Sequence, residues 1–280
     1  MEKSNDSFVF DFEAEFDEKK AHSWIKEHWT DTFYFNVVYL MVIFSLKKFM
    51  QNRPPYKMMI PAVIWNIFLA SFSIIGTIRT FPELRRSLSF HGIHHSICDQ
   101  SFIATDEVTR VWVYLFVLSK SWELLDTVFV VLRKHPLIFL HWYHHMIALV
   151  YSWVSYSELI STSRWFVIMN FFVHSLMYSY YALRCLKFKL PKQISMIITT
   201  LQILQMVIAF SVNIYAFYLI QQGIECGISI WNIRFSTVMY MSFFVLFSRF
   251  FYKAYLSNNK VEEKNVKGYD HLAATSKKSK

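Results

Sequence analysis

The feature that most constrains this chain is a succession of seven apolar runs, at about residues 32–50, 58–78, 110–132, 137–156, 163–184, 194–220 and 231–252. Each reaches the roughly 20 residues that carry a helix across about 30 Å of hydrocarbon. The apolar residues are continuous, not alternating, which argues against the strands of a transmembrane barrel. Backbone in lipid must satisfy its own hydrogen bonds, and with only five glycines and six prolines the chain is suited to do so as helix. The expected fold class is therefore all-α, a polytopic membrane protein of seven transmembrane helices.

Charge orients this arrangement. The net +9 does not point to nucleic acid, because the basic residues cluster at the ends of the apolar runs and in the tail. Lys47, Lys48, Arg53 and Lys57 follow the first run, Arg133 and Lys134 the third, and Arg184, Lys187, Lys189 and Lys192 the fifth. Counted from the first run, these connections fall on one side, which predicts a lumenal amino terminus and a cytosolic carboxyl terminus. The first thirty residues are acidic and aromatic, unlike a cleavable signal. The same count places the sequon Asn5-Asp6-Ser7 in the lumen as a glycosylation site. It also puts Cys98 and Cys226 there, where a disulfide between them can persist. The ending Lys277-Lys278-Ser279-Lys280 matches a dilysine retrieval signal of endoplasmic reticulum membrane proteins, which must face the cytosol. The chain thus divides into a lumenal segment, 1–31, a transmembrane domain, 32–254, and a cytosolic basic tail, 255–280.

Ionisable residues interrupt the apolar runs at a few places. The sequence His141-Trp142-Tyr143-His144-His145 has H-x-x-H-H spacing, so on a helix His141 stands beside both His144 and His145. Imidazoles at membrane depth usually mark a pathway or a site; a hydrogen-bonded structural turn at the interface is the plainer alternative. The preceding run carries Lys120, Glu123 and Asp126 on one face, where the lysine can neutralise one carboxylate while the other orients a histidine. A helix-packing ion pair would show the same spacing. The fifth run contributes Asn170 and His174, four apart, then Tyr178, Tyr180 and Tyr181, and the sixth adds Gln202 and Gln205, a pair that would serve equally as interhelical glue.

Taken in order, Lys-x-x-Glu-x-x-Asp-Thr at Lys120 to Thr127, His-x-x-His-His at His141 to His145 and Asn-x-x-x-His-x-x-Met-Tyr-x-Tyr-Tyr at Asn170 to Tyr181 resemble the ELO family of very-long-chain fatty acid elongases, the 3-oxoacyl-CoA synthases of the endoplasmic reticulum. The resemblance runs over nearly the whole chain. Trp142 in the histidine box is similar to the branch acting on saturated and monounsaturated chains, whereas Ser121-Trp122 departs from the small residue and proline often found there. The resemblance implies condensation of a long-chain acyl-CoA with malonyl-CoA, releasing carbon dioxide and CoA. It implies no cofactor and no metal, the reductases and dehydratase of the elongation cycle as partners, and allows a homodimer.

That chemistry needs an acyl acceptor. Cys98 and Cys226 fall on the lumenal side and Cys185 has no local base, while imidazole can itself carry an acyl group. His144 with His174 beside it is the expected acceptor, with His141 and His145 orienting it or moving protons, and Glu123 or Asp126 fixing tautomers. Asn170, Tyr178 and Tyr181 would donate to the thioester or enolate oxygen, with Gln202 and Gln205 also expected to meet substrate. A long acyl tail requires a closed apolar tunnel through the bundle. The CoA phosphates would meet Arg133, Lys134, Arg184, Lys187, Lys189, Arg249 and Lys253, residues that also read as ordinary membrane-flanking charge.

Two rivals share parts of this pattern. Di-iron membrane oxidases carry H-x-x-H-H boxes, and His91-Gly92-Ile93-His94-His95 is a second one; the topology places it a membrane thickness from His141. A seven-span receptor or transporter fits the span count but has no need of several imidazoles on one turn.

Overall fold

A computed structural model of the chain describes residues 8–257, all of whose regular elements are helical. The Asn5 sequon and the dilysine ending lie outside the described residues. Two short helices, α1 (Asp11–Ala14) and α2 (Glu18–His28), precede α3 (Asp31–Phe49) and the long α4 (Met59–Arg86). A π-helical turn, Ser87–His91, leads into α5 (Gly92–Cys98), followed by the single turn α6 (Phe102–Thr105). The rest of the bundle is α7 (Glu107–Trp122), α8 (Leu125–Leu132), α9 (Phe139–Ser157), α10 (Ser163–Cys185), α11 (Lys192–Gln221) and α12 (Ile230–Phe251).

The bundle is inverted relative to a water-soluble protein. Large apolar side chains such as Phe33, Tyr34, Ile60, Ile64, Ile78 and Val238 face outward, while Lys120, Glu123, His145, His174, Gln205, Asn213 and Asn232 are buried. Lipid contributes no hydrophobic driving force between helices, so packing and polar bonds hold them together. Where α10 lies along α4, in the most extensive helix pairing of the fold, Gly76 receives the Phe171 ring.

Five segments are long and apolar enough to cross a bilayer: Asp31–Phe49, Met59–Cys98, Ser163–Cys185, Lys192–Gln221 and Ile230–Leu256. The third and fourth apolar runs of the sequence fail that test for a physical reason. The expected continuous span over 110–132 is broken: the Glu123 N–H closes α7 on Ser119 O, and the chain restarts as α8. The fourth run, α9, keeps 19 helical residues but carries three histidines, and most of its second half is buried. A helix shielded by its neighbours can afford polar groups that a lipid-facing one cannot.

The helix of the second apolar run continues past residue 78 to Arg86, and Arg79, Glu83 and Arg86 on it are paired. Arg79 holds Glu13, Arg86 holds Asp106, and Arg164 of α10 reaches Glu83 at 2.9 Å and the Ser96 carbonyl at 2.8 Å. At this end Cys98 and Cys226 form a disulfide, and the Gly227 N–H donates to Cys98 O at 2.8 Å. The second histidine box lies here too, with His95 against Asp99 at 3.6 Å.

The amino-terminal segment, read from sequence only as lumenal chain, is docked. Glu13 is fully buried and accepts from Arg79 Nε at 3.0 Å, Trp112 Nε1 at 2.8 Å and the Phe10 N–H at 3.0 Å. Burial would raise its pKa, but the bonds from Arg79, Phe10 and Trp112 outweigh burial and hold the carboxyl below the usual carboxylate range.

A depressed folded-state pKa contributes stability above the unfolded value, near 4.5, and loses it as pH falls through the lower folded value. Glu13→Gln is expected to cost about 3 kcal/mol at neutral pH by stranding Arg79, and to flatten the stability loss of the parent protein below about pH 4; thermal unfolding in detergent across pH measures both. A methyl group at Gly76 would lie 2.6 Å from the Phe171 ring. Gly76→Ala should therefore destabilise by about 1–3 kcal/mol through overpacking, read by the same melts.

Candidate active site

The break between α7 and α8 decides how the acidic motif is used. Lys120 Nζ donates to Glu123 Oε1 at 2.6 Å, and Ser119 Oγ donates to the same oxygen at 3.1 Å. Because the helix restarts after Leu124, Asp126 does not continue that face. It accepts instead from Trp65 Nε1 at 2.6 Å and Tyr178 OH at 2.7 Å, and stands 4.0 Å from His145 Nε2. The two carboxylates thus serve two networks, one across α7 and α10, the other joining α4, α8, α9 and α10.

In the first network the hydrogen bonds fix a tautomer. Lys120, an obligate donor, binds Asn170 Oδ1 at 2.9 Å, which turns the Asn170 amide NH2 toward His174 Nε2 at 3.2 Å. His174 Nε2 must then accept, leaving the ring proton on Nδ1, which faces Glu123 Oε2 at 3.7 Å. His141 and His144 flank His145, with ring centroids 4.7 and 5.5 Å away. The His144 ring packs at a tilt against Phe243 and edgewise on Phe247, and no described side chain engages it by a hydrogen bond. Of the four imidazoles it is the one that borders both internal cavities.

Beside them are two adjacent cavities that share part of their lining. One, of 220 Å³, is lined by His141, His144, His145, His174, Asn170, Asp126, Tyr178, Tyr181, Gln202 and Gln205, and extends to Arg133, Arg184, Cys185 and Tyr255. The other, of 80 Å³, runs the opposite way between α7, α9, α10 and α12 to Tyr156, Ile160 and Ser163. His144, Asn170, Gln205 and Met206 line both, so they form the neck. Arg133 donates to Cys185 Sγ at 3.5 Å at the wide mouth. Lys134 and Lys187 are exposed at the same end with positive φ angles, and neither they, Arg249 nor Lys253 line the cavity. Gln202 donates to Met177 Sδ at 3.3 Å.

Trp65, which holds Asp126, was invisible to sequence reasoning, since one tryptophan in an apolar run carries no local signal. The same holds for Phe243 and Phe247 beside His144. Among the described residues no three His, Cys, Asp or Glu side chains group as metal ligands.

Polarity turned inward within an apolar, membrane-length shell defines an integral membrane protein built around an internal polar chamber. The chain belongs to the GNS1/SUR4 (ELO) family, whose profile matches residues 24–263, from the middle of α2 onward. It is 52% identical over 255 residues to "Very long chain fatty acid elongase 6" of Drosophila melanogaster, covering 90% of this chain and 81% of that one. It is 43% identical over 247 residues to the Gallus gallus protein of the same name, covering 88% and 92%. To "Very long chain fatty acid elongase 3" of Mus musculus it is 38% identical over 247 residues, covering 88% and 89%.

Removing one member of a buried pair strands the other. Lys120→Met is expected to destabilise by about 3–5 kcal/mol, and Lys120→Met/Glu123→Gln to regain most of that. The double variant should remain inactive, because Asn170 and His174 lose their orientation; melts combined with a turnover assay separate the two effects.

Proposed function

We propose that this chain condenses a long-chain acyl-CoA with malonyl-CoA to give 3-oxoacyl-CoA, carbon dioxide and CoA, through an acyl group carried on His144. That it is a fatty acid elongase follows from its family and from the names of its relatives. The observation that carries the mechanism is the position of His144, unbonded at the neck between a polar vestibule and a narrower, largely apolar tube.

With the acyl tail in the tube and CoA in the vestibule, the thioester carbonyl lies at the neck. The His144 imidazole attacks it, the C–S bond breaks, and CoA leaves as the thiol with the imidazole proton, moved by His141 or His145. Malonyl-CoA then loses carbon dioxide, and the resulting enolate carbon attacks the acyl-imidazole carbonyl, forming the C–C bond and breaking the C–N bond to His144, whose ring takes up a proton from solvent. Asn170 and Gln205 at the neck are placed to donate to the enolate oxygen. Arg133 and Arg184 at the mouth suit the CoA phosphates. Trp142 supports saturated and monounsaturated chains as substrates.

The same reading takes α7–α8 and α9 as spans three and four of seven, in an endoplasmic reticulum membrane with the amino terminus lumenal and the vestibule cytosolic. The 3-oxo product then requires reductase and dehydratase steps. No resident cofactor enters the chemistry, so activity should survive chelation in protein of measured metal content.

Purified protein given palmitoyl-CoA alone should gain the mass of one acyl group, and His144→Ala should not. Addition of malonyl-CoA should convert the adduct to 3-oxostearoyl-CoA. Acylation retained in His144→Ala would move the acceptor to another residue, and absence of any 3-oxoacyl product from folded protein would refute the condensing activity.

A further inference from the structure

The far end of the tube is lined by Tyr156, Ile160 and Ser163, and Tyr156 lies twelve residues beyond His144 on α9, about 18 Å along the helix. Tyr156 is buried, and its hydroxyl has no hydrogen-bond partner among the described residues. What holds its ring is aromatic packing, in which the amino-terminal segment makes one direct contact and backs a second. His22 of α2 meets the Tyr156 ring edge-on at 6.3 Å, and its Nε2 lies 3.0 Å from Ser157 O, which pins α2 to the end of α9. On the other side Tyr114 of α7 lies 5.7 Å from Tyr156 and is backed by Phe16 at 5.3 Å. The segment is anchored at both ends, by Glu13 on Arg79 and Trp112 and by Ile25, which is fully buried beside Trp153.

We propose that residues 8–28 act as a strap that braces Tyr156 across the blind end of the tube, and that Phe16 and His22 thereby set the longest acyl chain the enzyme admits. The inference rests on the tube being the acyl site. Its origin in packing is plain: a ring without a polar anchor keeps its rotamer only while neighbours fill the space behind it. α1 and the first half of α2 precede the family-matched residues, so the strap would give this chain a length limit that the shared catalytic core does not dictate.

The test is elongation of a saturated acyl-CoA series by the full-length protein in detergent, read by product mass. Phe16→Ala and His22→Ala should each raise the ratio of arachidoyl-CoA to palmitoyl-CoA turnover about tenfold, the discrimination that one or two misfitting methylenes command, while palmitoyl-CoA turnover is kept. Tyr156→Ala should shift the ratio further the same way. Should Phe16→Ala unfold, Phe16→Leu is expected to give a smaller shift of the same sign. A longer product range in Tyr156→Ala without one in the strap variants would overturn the brace. Unchanged products in all three, from protein that still elongates palmitoyl-CoA, would overturn Tyr156 as the floor while leaving the condensing activity standing. Loss of palmitoyl-CoA elongation by the parent protein would strike at the activity itself.

Discussion

An ammonium and a carboxylate removed from water must neutralise each other or lose their charge, and the pairing of Lys120 with Glu123 settles how this bundle is arranged around them. The 2.6 Å contact alone would leave donors and acceptors unspent. They are taken up by Asn170, Ser119 and His174, and this draws α7 and α10 together about a polar seam. The end of α7 at Glu123 belongs to the same solution, because a straight helix would have put Asp126 on the same ion pair. With the break, Asp126 is free to bind Trp65 and Tyr178, and the second carboxylate stands near His145 instead.

The interior polarity has its counterpart outside. Helices α3, α4, α11 and α12 expose their apolar residues, and hydropathy alone therefore recognises them together with α10. The two elements that hydropathy misses, α7–α8 and α9, are those that carry the ion pair and the histidine box. Function and lipid exposure make opposite demands on a helix; α7–α8 and α9 answer mainly the first, while α10, with His174 buried and Phe172 exposed, answers both.

The sequence reading was accurate where information is local. The seven apolar runs all fold as helix, though the third is split in two and only five segments are long and apolar enough to span. The histidine spacing brings His141, His144 and His145 onto one stretch of α9, and the topological count that put Cys98 and Cys226 on one side anticipated their disulfide. It failed where structure depends on partners distant in the chain. Nothing near Glu13 foretells Arg79, and nothing near residue 78 shows that α4 continues to Arg86 because its arginines find Glu13 and Asp106. The interruption after Trp122 likewise lacks the proline that would announce it. The docking of α1 and α2 was missed because their short helices bury few side chains and show no membrane-length pattern.

At the end of the bundle that carries the disulfide, the chain is cross-tied. The Cys98–Cys226 bond joins segments 128 residues apart, Gly227 is tied by backbone bonds to both Cys98 and Ser161, and Arg164 clamps α10 to the end of α5. On the proposed reading the wide cavity is the doorway, so whatever goes in tail first backs out head first. Two bulky nucleotide carriers competing for one entrance would have to take turns, the first departing before the second docks. On the proposed reading, an acyl group held on His144 during that interval is what would make such a queue workable.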